Sequence, residues 1–263
     1  MALEPEEFSS RTAPQEVDTV EICPVYPDFM VYGTYALIKE DEHRPHEAQV
    51  RKGLIQVLPV GPTFKPKYPA ILPPSLDKKS FSCAVLDIHF HPSDGTLLGV
   101  ATSTAEMYFF RFMKHGDMLD HRIITKLIPL GSATIAPSDE AGLVPLVTQF
   151  TWFPEIGTTG GPGVDDRLQV TFAASTSFGD IKVVKTPLPA IKDPFDHRLA
   201  HQPPVLPVIS ADIQQHSLEA WTVAAARVPS TPPLGCHILL SGGDDSALIA
   251  SRIELDTVCE CAS

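Results

Sequence analysis

The chain has 263 residues, with 20 Lys+Arg against 32 Asp+Glu and a formal net charge of -12. That balance excludes the diffuse electrostatic grip of a nucleic-acid binder and attraction to an anionic membrane surface, while the length suffices for a large all-β domain with a sizeable core. Twenty-six prolines, about twice the usual share of ~5%, point to many loops and few long helices.

No window is long and apolar enough for a membrane span, and the acidic start from Met1 to Glu7 lacks a basic n-region and an apolar core. Five cysteines (23, 83, 236, 259, 261) form an odd set with no Cys-x-x-Cys pair, which fits a reduced, cytoplasmic protein. Residues 1–26 read as a flexible acidic N-terminus.

A first strand unit runs from Phe29-Met30-Val31-Tyr32-Gly33-Thr34-Tyr35-Ala36-Leu37 to Gly53-Leu54-Ile55-Gln56-Val57-Leu58. A second opens with Val85-Leu86-Asp87-Ile88-His89-Phe90, turns at His91-Pro92-Ser93-Asp94-Gly95, and continues as Leu97-Leu98-Gly99-Val100-Ala101-Thr102-Ser103-Thr104-Ala105-Glu106. That second-strand pattern returns without gaps from Thr171 and again from Ile238, each time as an apolar run, a small-residue stretch, a polar turn and an alternating strand. Strands at Leu146–Pro154 and Leu218–Ala225 lead the last two copies, although the Ala-rich run of the latter also favours helix.

The copies recur at intervals of about 74 and about 67 residues, against roughly 40–45 for a compact WD blade. The excess falls in Pro-rich loops at Pro59–Pro74, Pro154–Asp166 and Lys185–Pro207, which surface loops absorb at small entropic cost. The expected fold is therefore all-β, a WD40-type β-propeller over residues 27–255. It is incomplete, with about four blades visible of a presumed seven or so. Where a WD repeat ends in Trp-Asp this chain has Phe110-Arg111, Val184-Lys185 and Ser251-Arg252, and the third breaks the apolar pattern. Residues 256–263 read as an atypical tail foreign to the fold, as in a truncated chain.

Two stretches are more specific. His216-Ser217-Leu218-Glu219-Ala220-Trp221-Thr222, followed by Ser241-Gly242-Gly243-Asp244-Asp245-Ser246, resembles the WD-repeat diphthine methyl ester hydrolases of diphthamide biosynthesis. Tyr32-Gly33-Thr34-Tyr35, Gly53-Leu54-Ile55, and Ala84-Val85-Leu86-Asp87 with Phe90 extend the resemblance over about residues 29 to 250. It implies hydrolysis of the methyl ester of methylated diphthine on elongation factor 2, a whole folded protein as substrate. The product would be diphthine, ready for amidation. No cofactor is implied, no nucleic acid or membrane is expected as a partner, and the oligomeric state is left open.

Ester hydrolysis needs an activated nucleophile or water and a group that stabilises an oxyanion. There is no Gly-x-Ser-x-Gly elbow, so a general base acting on water is the expected chemistry. The catalytic candidates are Glu219, His216, Asp244 and Asp245, from the most family-like segment. Each has a structural alternative: His216 and Asp245 have the spacing of a blade-stabilising pair, and Asp244 suits a tight turn. Glu219 is the least readily explained, being read within a strand entering the core. His89 and His91 alternate along one strand, but no third ligand is near, so no metal is expected. Trp152 and Trp221 read as core or inter-blade packing, with contact to a partner from the channel rim as the alternative. The rival readings are a non-catalytic WD scaffold and an inactive fragment of the enzyme.

Overall fold

The computed structural model describes residues 13–38, 50–60, 76–116, 123–159, 167–189, 204–228 and 236–255. Among them the regular structure is entirely β, in four antiparallel sheets that are successive blades of a WD-type propeller. The first blade is β1 (Glu16–Ile22), β2 (Phe29–Ile38), β3 (Val50–Pro59) and β4 (Lys78–Phe81), paired in that order. The second is β5 (Val85–His91), β6 (Asp94–Thr102), β7 (Glu106–His115) and β8 (Ile124–Thr134). The third has β9 (Val147–Trp152) and the short β10 (Gly157–Thr159) side by side along β11 (Arg167–Thr176), then β12 (Asp180–Leu188) and β13 (Ile209–Gln215). The fourth is β14 (Ala220–Arg227), β15 (Cys236–Gly243) and β16 (Leu248–Glu254).

One expectation from the sequence is corrected and one is borne out. Residues 16–22, read as part of a flexible arm, form β1, which pairs with β2 from Glu16↔Tyr35 to Ile22↔Met30. The Ala-rich segment read as a leading strand is β14, its seven pairings with β15 overriding the helix propensity of the run. The expected atypical tail at 256–263, with Cys259 and Cys261, lies outside the described residues, as do most of the three Pro-rich loops.

The recurring small-residue strands β6 and β11 are buried on both faces, since each sheet is sandwiched between neighbours. This is why they read as unbroken runs of small and apolar residues rather than as alternation. Each junction holds its own core. Phe29, Val31, Ile55 and Val57 pack against Val85, Ile88 and Leu98 between the first two blades. Phe109, Phe150, Trp152 and Phe172 do so between the second and third, and Ala173, Val183, Val223 and Leu239 between the third and fourth. The innermost strands follow one another as an arc, β1 against β5, β5 against β9, and β9 against β14.

Neighbouring inner strands share no ladder, yet each junction has a side-chain clamp. Phe90 N–H donates to Glu21 Oε2 (2.8 Å), Phe150 N–H to Asp87 Oδ2 (3.1 Å), and Val223 N–H to Gln149 Oε1 (2.9 Å). The Trp152 indole adds a bond to the His89 carbonyl at 3.0 Å. Close approach is bought by missing side chains. A Cβ on Gly33 would stand 2.4 Å from Val85 Cγ1, and one on Gly99 would stand 2.7 Å from Trp152 Cζ2 and 2.8 Å from Phe150 Cζ.

The aromatic pair facing Gly99 is buried and interlocked edge to face, so it has little room to yield. Gly99→Ala is therefore expected to destabilise the protein by about 1–3 kcal/mol through overpacking. Urea unfolding checks this, and an unchanged midpoint would show that the junction can relax.

Candidate functional site

The three hairpins that follow the small-residue strands have equivalent geometry. The ungapped stack of their sequences puts Ala105, Gly179 and Ser246 in one column, and all three adopt positive φ (56, 88 and 60°). Two positions earlier, the backbone N–H of Ser103, Ser177 and Asp244 donates to the residue just before the blade's inner strand. Those acceptors are the carbonyls of Ala84 (3.1 Å), Leu146 (3.0 Å) and Glu219 (2.9 Å). In the second and third blades the serine hydroxyl also accepts from that residue's N–H, at 3.0 and 2.9 Å.

The fourth blade replaces that serine with Asp244 and supplements the contact with a polar chain. Asp245 accepts from His216 Nδ1 at 2.9 Å and from the N–H groups of Ser217 and Ala247, both at 3.0 Å. His216 Nε2 meets Ser241 Oγ at 2.8 Å, Ser241 bonds Gln214, and Gln214 Nε2 donates to Ser251 Oγ at 2.8 Å. The His216 hydrogen bond and the two backbone donors hold the Asp245 carboxyl at about 2, below the usual range. Ser251, which broke the apolar pattern in the sequence, is thus the end of a hydrogen-bonded chain.

The four sequence candidates separate into two pairs. His216 and Asp245 come together, but the His216 side chain is fully buried with both ring nitrogens engaged. Glu219 and Asp244 are exposed and share only the backbone bond above. Glu219 was read within a strand entering the core; it lies one residue before β14, on the loop, where no core penalty applies to its carboxylate. Trp221, read as packing, is 49% exposed because a register shift between Ala220 and Thr222 turns it outward. Trp152 is buried as expected.

A second ionisable cluster, not picked out in the sequence, lies on the inner strands where the first three blades meet. His89 Nε2 is 3.1 Å from Asp87 Oδ2, and His89 Nδ1 is 3.4 Å from Glu21 Oε2. The same two carboxylate oxygens accept the inter-blade N–H groups of Phe150 and Phe90. Burial alone would lower the His89 pKa, but the hydrogen bonds and charges of Asp87 and Glu21 outweigh it and hold the imidazole up at about 10. The ring touches Phe150 edge-on and its side chain stays 38% exposed. Nearby Asp18 has its pKa raised, by desolvation and then by the charge of Asp87. A fixed cation can stabilise developing negative charge, and a carboxyl whose pKa is raised can exchange a proton with water. The one sequence signal is the alternation of His89 with Asp87; Glu21 sits in the stretch read as a flexible acidic N-terminus.

His91, the other half of the considered metal pair, has separate partners. Its Nδ1 accepts from Ser93 N–H at 3.1 Å, and its ring packs on Trp152. Among the described residues no group of three or more His, Cys, Asp or Glu side chains is arranged to hold a metal ion.

Scans against family models and against curated proteins found no match. Among solved structures, Chaetomium thermophilum Sqt1 bound to the N-terminus of ribosomal protein L10 is similar at 11% identity and a TM-score of 0.46, covering 94% of this chain and 47% of that one. Sqt1 from the same organism without the peptide gives 13% identity, a TM-score of 0.43, and coverage of 94% and 45%. The β-propeller domain of Myceliophteria thermophila Cps50 (Swd1) gives 11% identity, a TM-score of 0.24, and coverage of 92% and 88%. This chain spans about half the length of the Sqt1 chains it matches.

Two predictions separate the clusters. His89 has a raised native pKa, so its stabilisation is fully present below pH 6.5 and is lost as pH rises through about 10. Urea midpoints of the wild type should fall across that window relative to His89→Gln, and parallel curves would refute the assignment. His216→Ala should cost at least about 2 kcal/mol by leaving buried partners unsatisfied. Glu219→Gln should stay within about 0.5 kcal/mol, as for an exposed side chain; equal losses in the two variants would contradict the different burial of the two side chains.

Proposed function

We propose that this chain grips a folded protein and hydrolyses a methyl ester carried on it, the substrate being methylated diphthine on elongation factor 2 in the cytosol. The observation that carries this reading is the cluster of Glu21, Asp87 and His89, a fixed imidazolium on a partly exposed inner wall, with the exposed Asp18 raised in pKa by desolvation and by the charge of Asp87. Water attacks the ester carbonyl while Asp18 takes its proton. Both His89 nitrogens are held by Asp87 and Glu21, so it is the exposed edge of the imidazolium that offers its positive charge to the tetrahedral oxyanion. Collapse breaks the bond to methoxide, which leaves as methanol with the proton returned from Asp18, and the new carboxylic acid on the protein gives its own proton to water to become carboxylate.

His216 and Asp245 act in this reading by holding the fourth blade together, because the His216 ring is fully buried and cannot meet a substrate. A second reading, a non-catalytic scaffold, is favoured by the exposed side chains Trp221 and Leu218 on the fourth blade. Both readings require a protein partner.

Purified chain should remove the ester methyl from methyl-esterified elongation factor 2, followed by mass spectrometry of the modified peptide. His89→Gln should slow hydrolysis by about 100-fold or more, the scale of lost acid–base and charge stabilisation. Binding of the substrate protein without loss of the methyl would establish the scaffold reading instead.

A further inference from the structure

We infer that the hairpin loops of the third and fourth blades form one rigid docking surface for a basic, leucine-bearing segment of a partner protein. This rests on the reading above only in that the ligand is a protein. The surface is continuous. Ser177 and Leu146 exchange hydrogen bonds between the turn at 176–179 and the loop at 135–146. His216 N–H donates to the Gly179 carbonyl at 2.9 Å, and the carbonyls of His216 and Leu218 lie 2.5 and 2.6 Å from where a Gly179 Cβ would stand. Asp244 N–H closes the row on Glu219.

The surface is also preorganised. The side chain of Asp139 accepts the N–H groups of Ala141 (2.9 Å) and Leu143 (2.8 Å), and its own N–H donates to the Leu143 carbonyl at 2.9 Å. The turn that presents Leu143 is thereby fixed before any partner arrives, which lowers the ordering cost of binding.

Along this row Leu143 is 61% and Leu218 54% exposed, and Val144, Phe178 and Trp221 are exposed with them. Residues 135–146, 176–180, 216–219 and 243–248 contain no Lys or Arg but carry Asp139, Glu140, Asp180, Glu219, Asp244 and Asp245. Asp139 and Asp245 are spent on backbone and His216 contacts, which leaves Glu140, Glu219 and Asp244 as the exposed acids around the apolar side chains. An apolar patch rimmed by one sign of charge selects a partner that is apolar and of the opposite sign. An acidic segment or a lipid surface of anionic headgroups would be repelled.

The test uses labelled peptides read by fluorescence anisotropy against the full chain: one of Lys and Leu, one with Glu for Lys, and one with Ser for Leu. The Lys/Leu peptide should bind, and the other two should bind at least about tenfold more weakly. Leu143→Ser with Leu218→Ser, and separately Glu219→Lys with Asp244→Lys, should each weaken the Lys/Leu peptide by about tenfold or more, with unchanged melting because all four positions are exposed. Equal binding of the Glu/Leu peptide, or variants that bind like the wild type, would overturn the inference. So would a loss confined to self-association in sedimentation, which would make a second copy the occupant. On esterified elongation factor 2 the leucine pair should raise KM and spare kcat. Peptide binding without any hydrolysis would keep the docking surface and remove the hydrolase reading.

Discussion

The arrangement of this protein depends on one recurring contact, a side-chain oxygen on each inner strand that accepts a backbone N–H from the inner strand of the next blade. Glu21, Asp87 and Gln149 occupy that role at the three junctions. Hydrophobic burial between blades is strong but non-directional, so it would tolerate one sheet sliding over the next. A hydrogen bond to a backbone group has a narrow geometric range and fixes how far along its neighbour each strand sits. Gln149 and Asp87 hold equivalent places in their strands, whereas the first junction is offset. There Glu21 reaches Phe90, because the N–H of Ile88 is already occupied by Asp87 Oδ1 at 3.0 Å.

The same constraint builds the inner-wall cluster. Two successive clamps use carboxylates, and burying carboxylates near one another needs a compensating cation. His89 supplies it, lying between the two clamp residues with both ring nitrogens turned toward them. At the third junction the clamp is the neutral Gln149, which also accepts from Thr222 Oγ1 at 2.7 Å, and no ion pair is required. A cation and two carboxylates thus gather on the inner strands where the first three blades meet, while the inner-strand clamp one blade later is neutral, so a candidate reactive centre follows from the way the blades are held.

How much of this could be read in advance depended on sequence distance. Ala105, Gly179 and Ser246 share a column because the hairpin turn demands left-handed backbone at that point, and a repeated local geometry leaves a repeated local pattern. The pairing of His216 with Asp245 followed from the same periodicity. Glu21 and His89, by contrast, meet only through the packing of two blades, and nothing local to either residue signals the other. β1 was obscured by its own irregularity, a register shift between Val17 and Thr19 within an acidic stretch that breaks strict alternation. Trp221 was misjudged for a related reason, since a bulge reverses which face a side chain takes.

The fourth blade differs from the others in one column of the repeat. Gly99 and Ala173 occupy the second strand of their blades at the point facing the next blade, and Gly33 serves that purpose in the first. Small residues there let the following inner strand approach, with Trp152 and Phe150 filling the space left by Gly99. The equivalent residue of the fourth blade is Leu240, 39% exposed, beside exposed Ile238 on the same face of β15. A side chain of that size would occupy the volume that an inner-strand aromatic takes at the second junction. The outer face of this blade therefore carries apolar side chains where Gly99 and Ala173 leave room in the blades before it. Together with the outward-turned Trp221, this gives the fourth blade exposed apolar surface of the kind that is buried against another sheet or a partner.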